Sequence, residues 1–293
     1  MNELQITFEN NGEIISGIQH LPDKEETGGD SIVIFLHGFA GYRIGPHQLF
    51  VKLARELAQS GYRCIRFDFR GRGYSQGSRD ATSYKTMVSD LDIVLSEVHK
   101  KYNPKQVILL GICSGTRTAL YYIKDKTFRV DALIGLSSPP LVNTVNVNAA
   151  SNRTKSVIEE YVVKAKNIEN WKRLLKGDIN TKMIAKIIGK NLKAFGYAVR
   201  SKIFGSPPDK NHKLVSKARG AFPNFRGEVL LIHGEKDPET PVALKQISGL
   251  LSSHNIPFQE QIIKGANHSF YSIKWEKEII QIIKNWLFER NSK

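Results

Sequence analysis

Cysteine is nearly absent: the 293 residues hold only Cys64 and Cys113. Two thiols exclude a disulfide scaffold and a four-cysteine zinc site. Also missing is any run of about 20 apolar residues, the length a bilayer-spanning helix needs. The opening Met1-Asn2-Glu3-Leu4-Gln5-Ile6-Thr7 lacks the basic stretch and apolar segment of a secretory signal, so a cytoplasmic location is expected. No internal repeat or low-complexity tract occurs, which argues against solenoid and fibrous architectures. Acidic residues are scarce as well, 28 Asp and Glu against 43 Lys and Arg, for a formal charge of +15. Such an excess steers encounters toward anionic partners, or else reflects solvated lysine faces. What is present suffices for a packed core: 41% of residues are hydrophobic and 24% charged. The length fits one large domain or one domain with an insert.

Short apolar runs alternate with helical patterns. Leu4–Phe8 and Glu13–His20 read as a strand pair around a turn at Asn10-Asn11-Gly12. Ile32–Leu36, Tyr62–Phe67, Val107–Leu110, Ala132–Leu136, Val229–Ile232 and Phe258–Ile263 read as further strands, mostly of the fully buried kind. Helical spacing covers Pro46–Gln59, Ser83–Lys101 and Trp275–Phe288. Strands separated by helices predict a mostly parallel sheet covered on both faces.

The alternation stops between about Leu141 and Phe222, where only helical patterning remains. Pro139-Pro140 opens this stretch, and Pro207-Pro208 and Pro223 close it. An α-helical lid is expected over residues 139–225, inserted between core segments 1–138 and 226–293. The stretch from Leu141 to Phe222 carries 17 Lys and Arg against 5 Asp and Glu, most of the chain's charge. Met183, Ile184, Ile187, Ile188, Phe195, Val199 and Ile203 recur at helical spacing. Lys186, Lys190 and Lys193 lie among the basic residues between them, as in a basic amphipathic helix.

The most informative stretch runs from Val107 to Leu120. An apolar strand leads into Gly111-Ile112-Cys113-Ser114-Gly115, and a helix follows. A nucleophile on a tight strand-to-helix turn needs small neighbours. The next N–H and the positive helix end then face the reacting oxygen, and the same helix end favours a thiolate. Taken alone, Cys113 could equally be a small buried residue. Other segments fall at matching places: His37-Gly38-Phe39 after the third strand, Asp68-Phe69-Arg70-Gly71-Arg72-Gly73-Tyr74-Ser75 after the fourth, His233-Gly234-Glu235-Lys236-Asp237 and Gly265-Ala266-Asn267-His268. Together they resemble the α/β-hydrolase superfamily, with Cys where most members carry Ser.

That resemblance covers everything but the insert and implies an eight-stranded α/β-hydrolase fold. It implies Cys113 as nucleophile, His268 as general base and Asp237 as the acid that orients it. Backbone N–H groups of Phe39 and Ser114 would form the oxyanion hole. Glu235 and Glu239 are rival acids. His37 and His233 read as structural, His47, His212 and His254 as solvent-facing, and Cys64 as core. Asp68 and Arg70 are expected to hold their turn, while Arg117 receives no role. No cofactor and no metal is expected.

A cysteine nucleophile passes through a thioester, which forms uphill from an ordinary ester but near thermoneutrally from another thioester. Thioesters and activated esters are therefore the expected substrates. Among cysteine-bearing branches, dienelactone hydrolases lack so large a lid, polyhydroxyalkanoate synthases are longer, and the exosortase-associated hydrolases are a third kind. The basic lid suits an acyl group carried on coenzyme A or an acyl carrier protein, or an anionic membrane surface. Nucleic acid is disfavoured, since aromatic interleaving is sparse. Two other functions remain open: acyl transfer from Cys113 to an amine or alcohol, as in a condensing enzyme, and a catalytically silent binding protein.

Overall fold

The computed structural model describes residues 2–22, 31–125, 128–141 and 225–292. Eight strands form one sheet: β1 (Glu3–Asn10), β2 (Glu13–His20), β3 (Ser31–Leu36), β4 (Arg63–Phe67), β5 (Gln106–Ile112), β6 (Ala132–Leu136), β7 (Glu228–Gly234) and β8 (Phe258–Ile263). Their order is β1-β2-β4-β3-β5-β6-β7-β8. The β1–β2 and β2–β4 pairs are antiparallel and the rest parallel. The β1–β2 turn uses Asn11 and Gly12, both at positive φ, as a tight hairpin requires.

Helices α1 (Leu49–Gln59), α2 (Tyr84–Tyr102), α3 (Ser114–Asp125), α4 (Thr240–Ser253) and α5 (Ile273–Asn291) cover the sheet. The central strands read as unbroken apolar runs because both faces are buried. Ile32, Ile34 and Leu36 of β3 join the core under α2, α3 and α4, while Val33 and Phe35 join the core under α1 and α5. The β5 chain alternates likewise, with Val107 and Leu109 on one side and Ile108, Leu110 and Ile112 on the other.

Two elements depart from the sequence reading. Helix α1 begins at Leu49 rather than Pro46, because His47 and Gln48 sit at positive φ and break the helix after one 3₁₀ turn. Helix α4 has no counterpart in that reading. It opens beside the acid-bearing loop with Pro241 in its first turn, where a missing N–H costs nothing. Elsewhere the local signals act as expected. Ser83 and Thr86 form a reciprocal capping box at the start of α2, and Asn103 closes it in the left-handed conformation.

The lid expected over 139–225, with Lys186, Lys190 and Lys193, lies outside the described residues except at its flanks. Both flanking apolar residues, Leu141 and Phe225, are buried in the core. Strands β6 and β7 are parallel neighbours. The intervening chain therefore departs from the C-terminal end of β6 and re-enters at the N-terminal end of β7. Among the described residues, no helix is long and apolar enough to cross a membrane.

Buried Asp68, Asp90 and His37 pin the loops at the C-terminal edge of the sheet. Asp68 accepts from the backbone N–H of Tyr74 at 3.0 Å and from the Arg43 guanidinium. Arg70 donates to Asp90 at 2.6 Å and to Glu13 at 3.0 Å, so the pair holds this turn as expected. His37 donates from Nδ1 to the Gly38 carbonyl at 2.8 Å and accepts from the Phe69 N–H at 3.0 Å. It thereby ties the loop after β3 to the loop after β4 as a neutral imidazole.

Burial holds His37 down to about 4, against the partial opposition of the Gly38 carbonyl and Asp68. Below about 6.5 the unfolded chain binds a proton that the folded chain refuses until pH 4. Stability from this group is complete above 6.5 and is lost on acidification toward 4, on the order of 3 kcal/mol. His37→Ala should cost about 2–4 kcal/mol at pH 7.5 through two orphaned backbone groups. Urea unfolding at several pH values should also show a shallower acid-side slope in the variant. An unchanged slope would remove His37 from the acid response.

Candidate active site

Four loops meet at the C-terminal ends of β3, β5, β7 and β8, where parallel sheets place their sites. The β5 loop is the tightest. Cys113 sits at φ 54°, in the left-handed region that a side chain enters only under constraint. Its N–H donates to the Leu136 carbonyl at 2.9 Å, and its carbonyl accepts from Thr116 at 3.0 Å. Strand and helix approach so closely that only glycine fits on either side. A Cβ on Gly115 would lie 1.9 Å from the Leu36 carbonyl oxygen, and one on Gly111 would lie 2.5 Å from the Thr116 nitrogen.

Helix α3 starts immediately after Cys113, so its positive end faces the thiol. Gly38 packs against the same turn: a Cβ there would meet the Cys113 Cβ at 3.3 Å and the Ser114 nitrogen at 3.6 Å. This places the loop after β3, with Phe39, beside the elbow. The Ser114 backbone N–H and hydroxyl both interact with the Cys113 thiol, the hydroxyl oxygen at 3.8 Å from sulfur.

On the neighbouring loops, His268 Nδ1 lies 2.6 Å from Asp237 Oδ2. Asp237 is 3% exposed, and its other oxygen accepts from the Glu239 N–H at 3.1 Å. Glu235 faces elsewhere, accepting from the Gly265 N–H at 2.7 Å. The Glu239 carboxylate lies within 4.8 Å of the Asp237–His268 pair, near enough for three metal-ligand atoms. However, His268 Nδ1 and Asp237 Oδ2 are spent on each other. That pairing suits a carboxylate that orients an imidazole and offsets its charge. His233 is buried and donates to the Ser138 carbonyl at 3.2 Å, a structural contact.

The electrostatics run along the same line. Burial opposes the Cys113 thiolate, but the hydrogen bond and charge of His268 outweigh it and hold the thiol below its ordinary value. Burial also opposes a charged His268, but Asp237 and Cys113 outweigh it and raise the imidazole to about 10. For Asp237, the hydrogen bond and charge of His268 likewise overcome burial and keep the carboxyl low. The arrangement favours a thiolate–imidazolium pair braced by a carboxylate. Such a group can attack an acyl carbon and return a proton to a leaving group.

Two neighbours of the thiol were given no role by the sequence. The Tyr84 phenol hydrogen-bonds the Ser114 side chain and stands close enough to Cys113 to feel its charge. Its ring packs edge-on against Phe39 at 4.6 Å. Arg117 lies over the Tyr84 ring, 5.4 Å from its centroid. Arg117 could be placed from its spacing, one helical turn beyond Cys113, whereas nothing in the chain order brings Tyr84 there.

Residues 31–203 match the family model described as the alpha/beta hydrolase fold. Lysophosphatidylserine lipase ABHD12 of Danio rerio is 35% identical over 111 residues, 37% of this chain. The match spans only 28% of that lipase's length. The AB hydrolase superfamily protein YisY of Bacillus subtilis is 24% identical over 246 residues, 80% of this chain and 85% of that one. A solved esterase of Pyrococcus furiosus superposes with a TM-score of 0.65 at 17% identity, over 98% of this chain and 91% of its own. At that identity it shares the fold.

Alkylation can test the electrostatics directly, since thiolate is the reacting form. Iodoacetamide should modify Cys113 with a pH midpoint below that of an ordinary thiol. Cys64 is fully buried with its thiol pushed up by that burial, and should stay unmodified in the folded protein. In His268→Ala, only the Ser114 hydroxyl and N–H still oppose burial, so the Cys113 midpoint should rise above that of the wild-type protein. Its rate at pH 7 should drop about tenfold or more, followed by peptide mass mapping. An unmoved midpoint would mean that His268 does not govern the thiol.

Proposed function

The chain belongs to the α/β-hydrolase fold family, and from that membership we propose a hydrolase that cleaves thioesters or activated esters through an acyl group held on Cys113. The observation that carries this reading is a thiol at the strained elbow, lowered by an imidazole that is itself braced by a buried carboxylate. The names of two relatives, a lipase and an esterase, agree with acyl chemistry of this kind.

In this mechanism His268 holds the Cys113 proton and the thiolate attacks the acyl carbon. The carbonyl electrons move to oxygen, where the N–H groups of Ser114 and Phe39 would receive the charge. Collapse expels the leaving thiolate or alkoxide, which takes the proton from His268. Water then gives its proton to His268 and attacks the Cys113 thioester. The second collapse releases the acid and frees the Cys113 thiolate, with the proton left on His268, as at the start. Asp237 keeps the His268 tautomer and offsets its charge throughout. Sulfur favours thioester substrates because exchanging one thioester for another is nearly isoenergetic.

Intact-mass measurement after mixing with acyl-coenzyme A, acyl-carrier and aryl-ester probes should show an acyl adduct on Cys113. Cys113→Ala should give no adduct, and His268→Ala should lose about three orders of magnitude or more in rate. Cys113→Ser should keep some esterase activity with a reduced preference for thioesters. Adduct formation in Cys113→Ala would sink the assignment, and a condensed product in place of free acid would turn the reading toward acyl transfer.

The basic insert would serve as the docking surface for an anionic carrier such as coenzyme A or an acyl carrier protein. Its composition supports this, with 17 basic residues against 5 acidic ones between Leu141 and Phe222. Converting Lys186, Lys190 and Lys193 to Glu should raise KM for an acyl-coenzyme A substrate severalfold. An aryl acetate should respond far less, and added salt should mimic the variant. Equal responses of both substrates would reduce the charge to a solvated surface.

A further inference from the structure

Arg117 is a buried cation whose hydrogen-bonding edge is unused. It is 6% exposed, yet neither Nε nor Nη2 has a hydrogen-bond partner among the described residues. These two nitrogens carry the parallel N–H groups of one guanidinium edge, the fork that matches two oxygens of a carboxylate. Buried charges normally find a partner, because removing one from water is costly. The Tyr84 ring, 5.4 Å away, supports the guanidinium face but offers its edge no acceptor. The Tyr84 phenol itself stays neutral, since burial raises it above its ordinary value.

The residue that carries this edge follows the thiol by one helical turn. Arg117 lies one turn into α3, and its N–H bonds back to the Cys113 carbonyl at 3.4 Å. Long helical side chains lean toward the helix N-terminus, here toward the elbow. Tyr84 is the shared neighbour: it underlies Arg117, bonds Ser114 and packs on Phe39. Tyr121, one turn beyond Arg117, packs edge-on against the Tyr84 ring at 5.2 Å. Tyr84 thus links the guanidinium, whose face it supports, to Ser114 and Cys113 at the elbow.

We propose that Arg117 is a specificity-determining residue that receives a carboxylate on the substrate, so that the ester or thioester cleaved is that of a dicarboxylic acid or of a carboxylated leaving group. This inference rests on the acyl-hydrolase reading and narrows it to one substrate class. The carboxylate fills the unused fork, and the energy of neutralising a buried charge becomes binding energy for anionic substrates. A methyl group in the same place leaves the fork empty.

Two probe pairs separate the two positions of the charge. The 4-nitrophenyl monoester of glutaric acid is compared with 4-nitrophenyl valerate for the acyl side. The acetyl ester of 3-hydroxybenzoate is compared with phenyl acetate for the leaving-group side. The wild-type protein should favour the anionic member of at least one pair by tenfold or more in kcat/KM, mainly through KM. Arg117→Met should collapse that ratio toward one, and Arg117→Lys should keep part of it. No preference in either pair, or a preference that survives in Arg117→Met, overturns the proposal. Should Arg117→Met not fold, the wild-type ratio and the Arg117→Lys ratio decide the matter.

Failure of the underlying chemistry is told apart by calorimetry with free glutarate. Glutarate should bind Cys113→Ala and bind at least tenfold more weakly once Arg117→Lys is added. That result with no acylation of Cys113 by any probe removes the hydrolase reading and keeps the carboxylate site. Acylation of Cys113 without a carboxylate preference does the reverse.

Discussion

The contact between Gly115 and the Leu36 carbonyl sets the rest of the molecule in place. The start of α3 presses against the end of β3 so tightly that a single methyl group would fall within bonding distance of oxygen. This close approach is what forces Cys113 into the left-handed region and lifts its thiol to the edge of the sheet. A side chain in that conformation is strained by roughly 1–3 kcal/mol, so the surroundings must over-determine it. Here the surroundings are two flanking parallel strands and a helix bonded back onto the elbow.

The elbow would be of little use if the neighbouring loops wandered. They are fixed by buried polar groups as well as by apolar anchors such as Phe69, Ala266 and Phe270. His37 joins two loops with one imidazole, Asp68 gathers the turn after β4, and Asp90 holds Arg70 from α2. Each is a satisfied group whose removal would orphan a partner in a dry environment. The loop bearing Phe39 is therefore held against the elbow from two directions. Electrostatic stabilisation at such a site needs donors already in place before charge develops.

Burial works against every charge in the Cys113–His268–Asp237 line, yet the line favours the charged forms. Each group is compensated by the next, and Asp237 at the end is compensated in turn by the Glu239 N–H. Arg117 stands apart from this pattern as a buried charge whose fork has no compensating acceptor among the described residues.

The sequence by itself determined the layering, and for a local reason. Ile32–Leu36, Val107–Leu110 and Val229–Ile232 are apolar at every position, which only a strand buried on both faces tolerates, and all three are such strands. Gly111 and Gly115 around Cys113 marked the elbow, since nothing larger fits where two backbones nearly touch. Helix boundaries depend on φ at single residues, so the late start of α1 at Leu49 was not legible from Pro46 onward. Glu235, Asp237 and Glu239 have similar local surroundings in the chain. The resemblance pointed to Asp237 among them, and in the folded loops Asp237 bonds His268 while Glu235 turns to Gly265. The meeting of Tyr84, Arg117 and Cys113 was a tertiary decision. Tyr84 begins a helix that precedes β5, and no sequence period encodes which face of one helix meets the first turn of another.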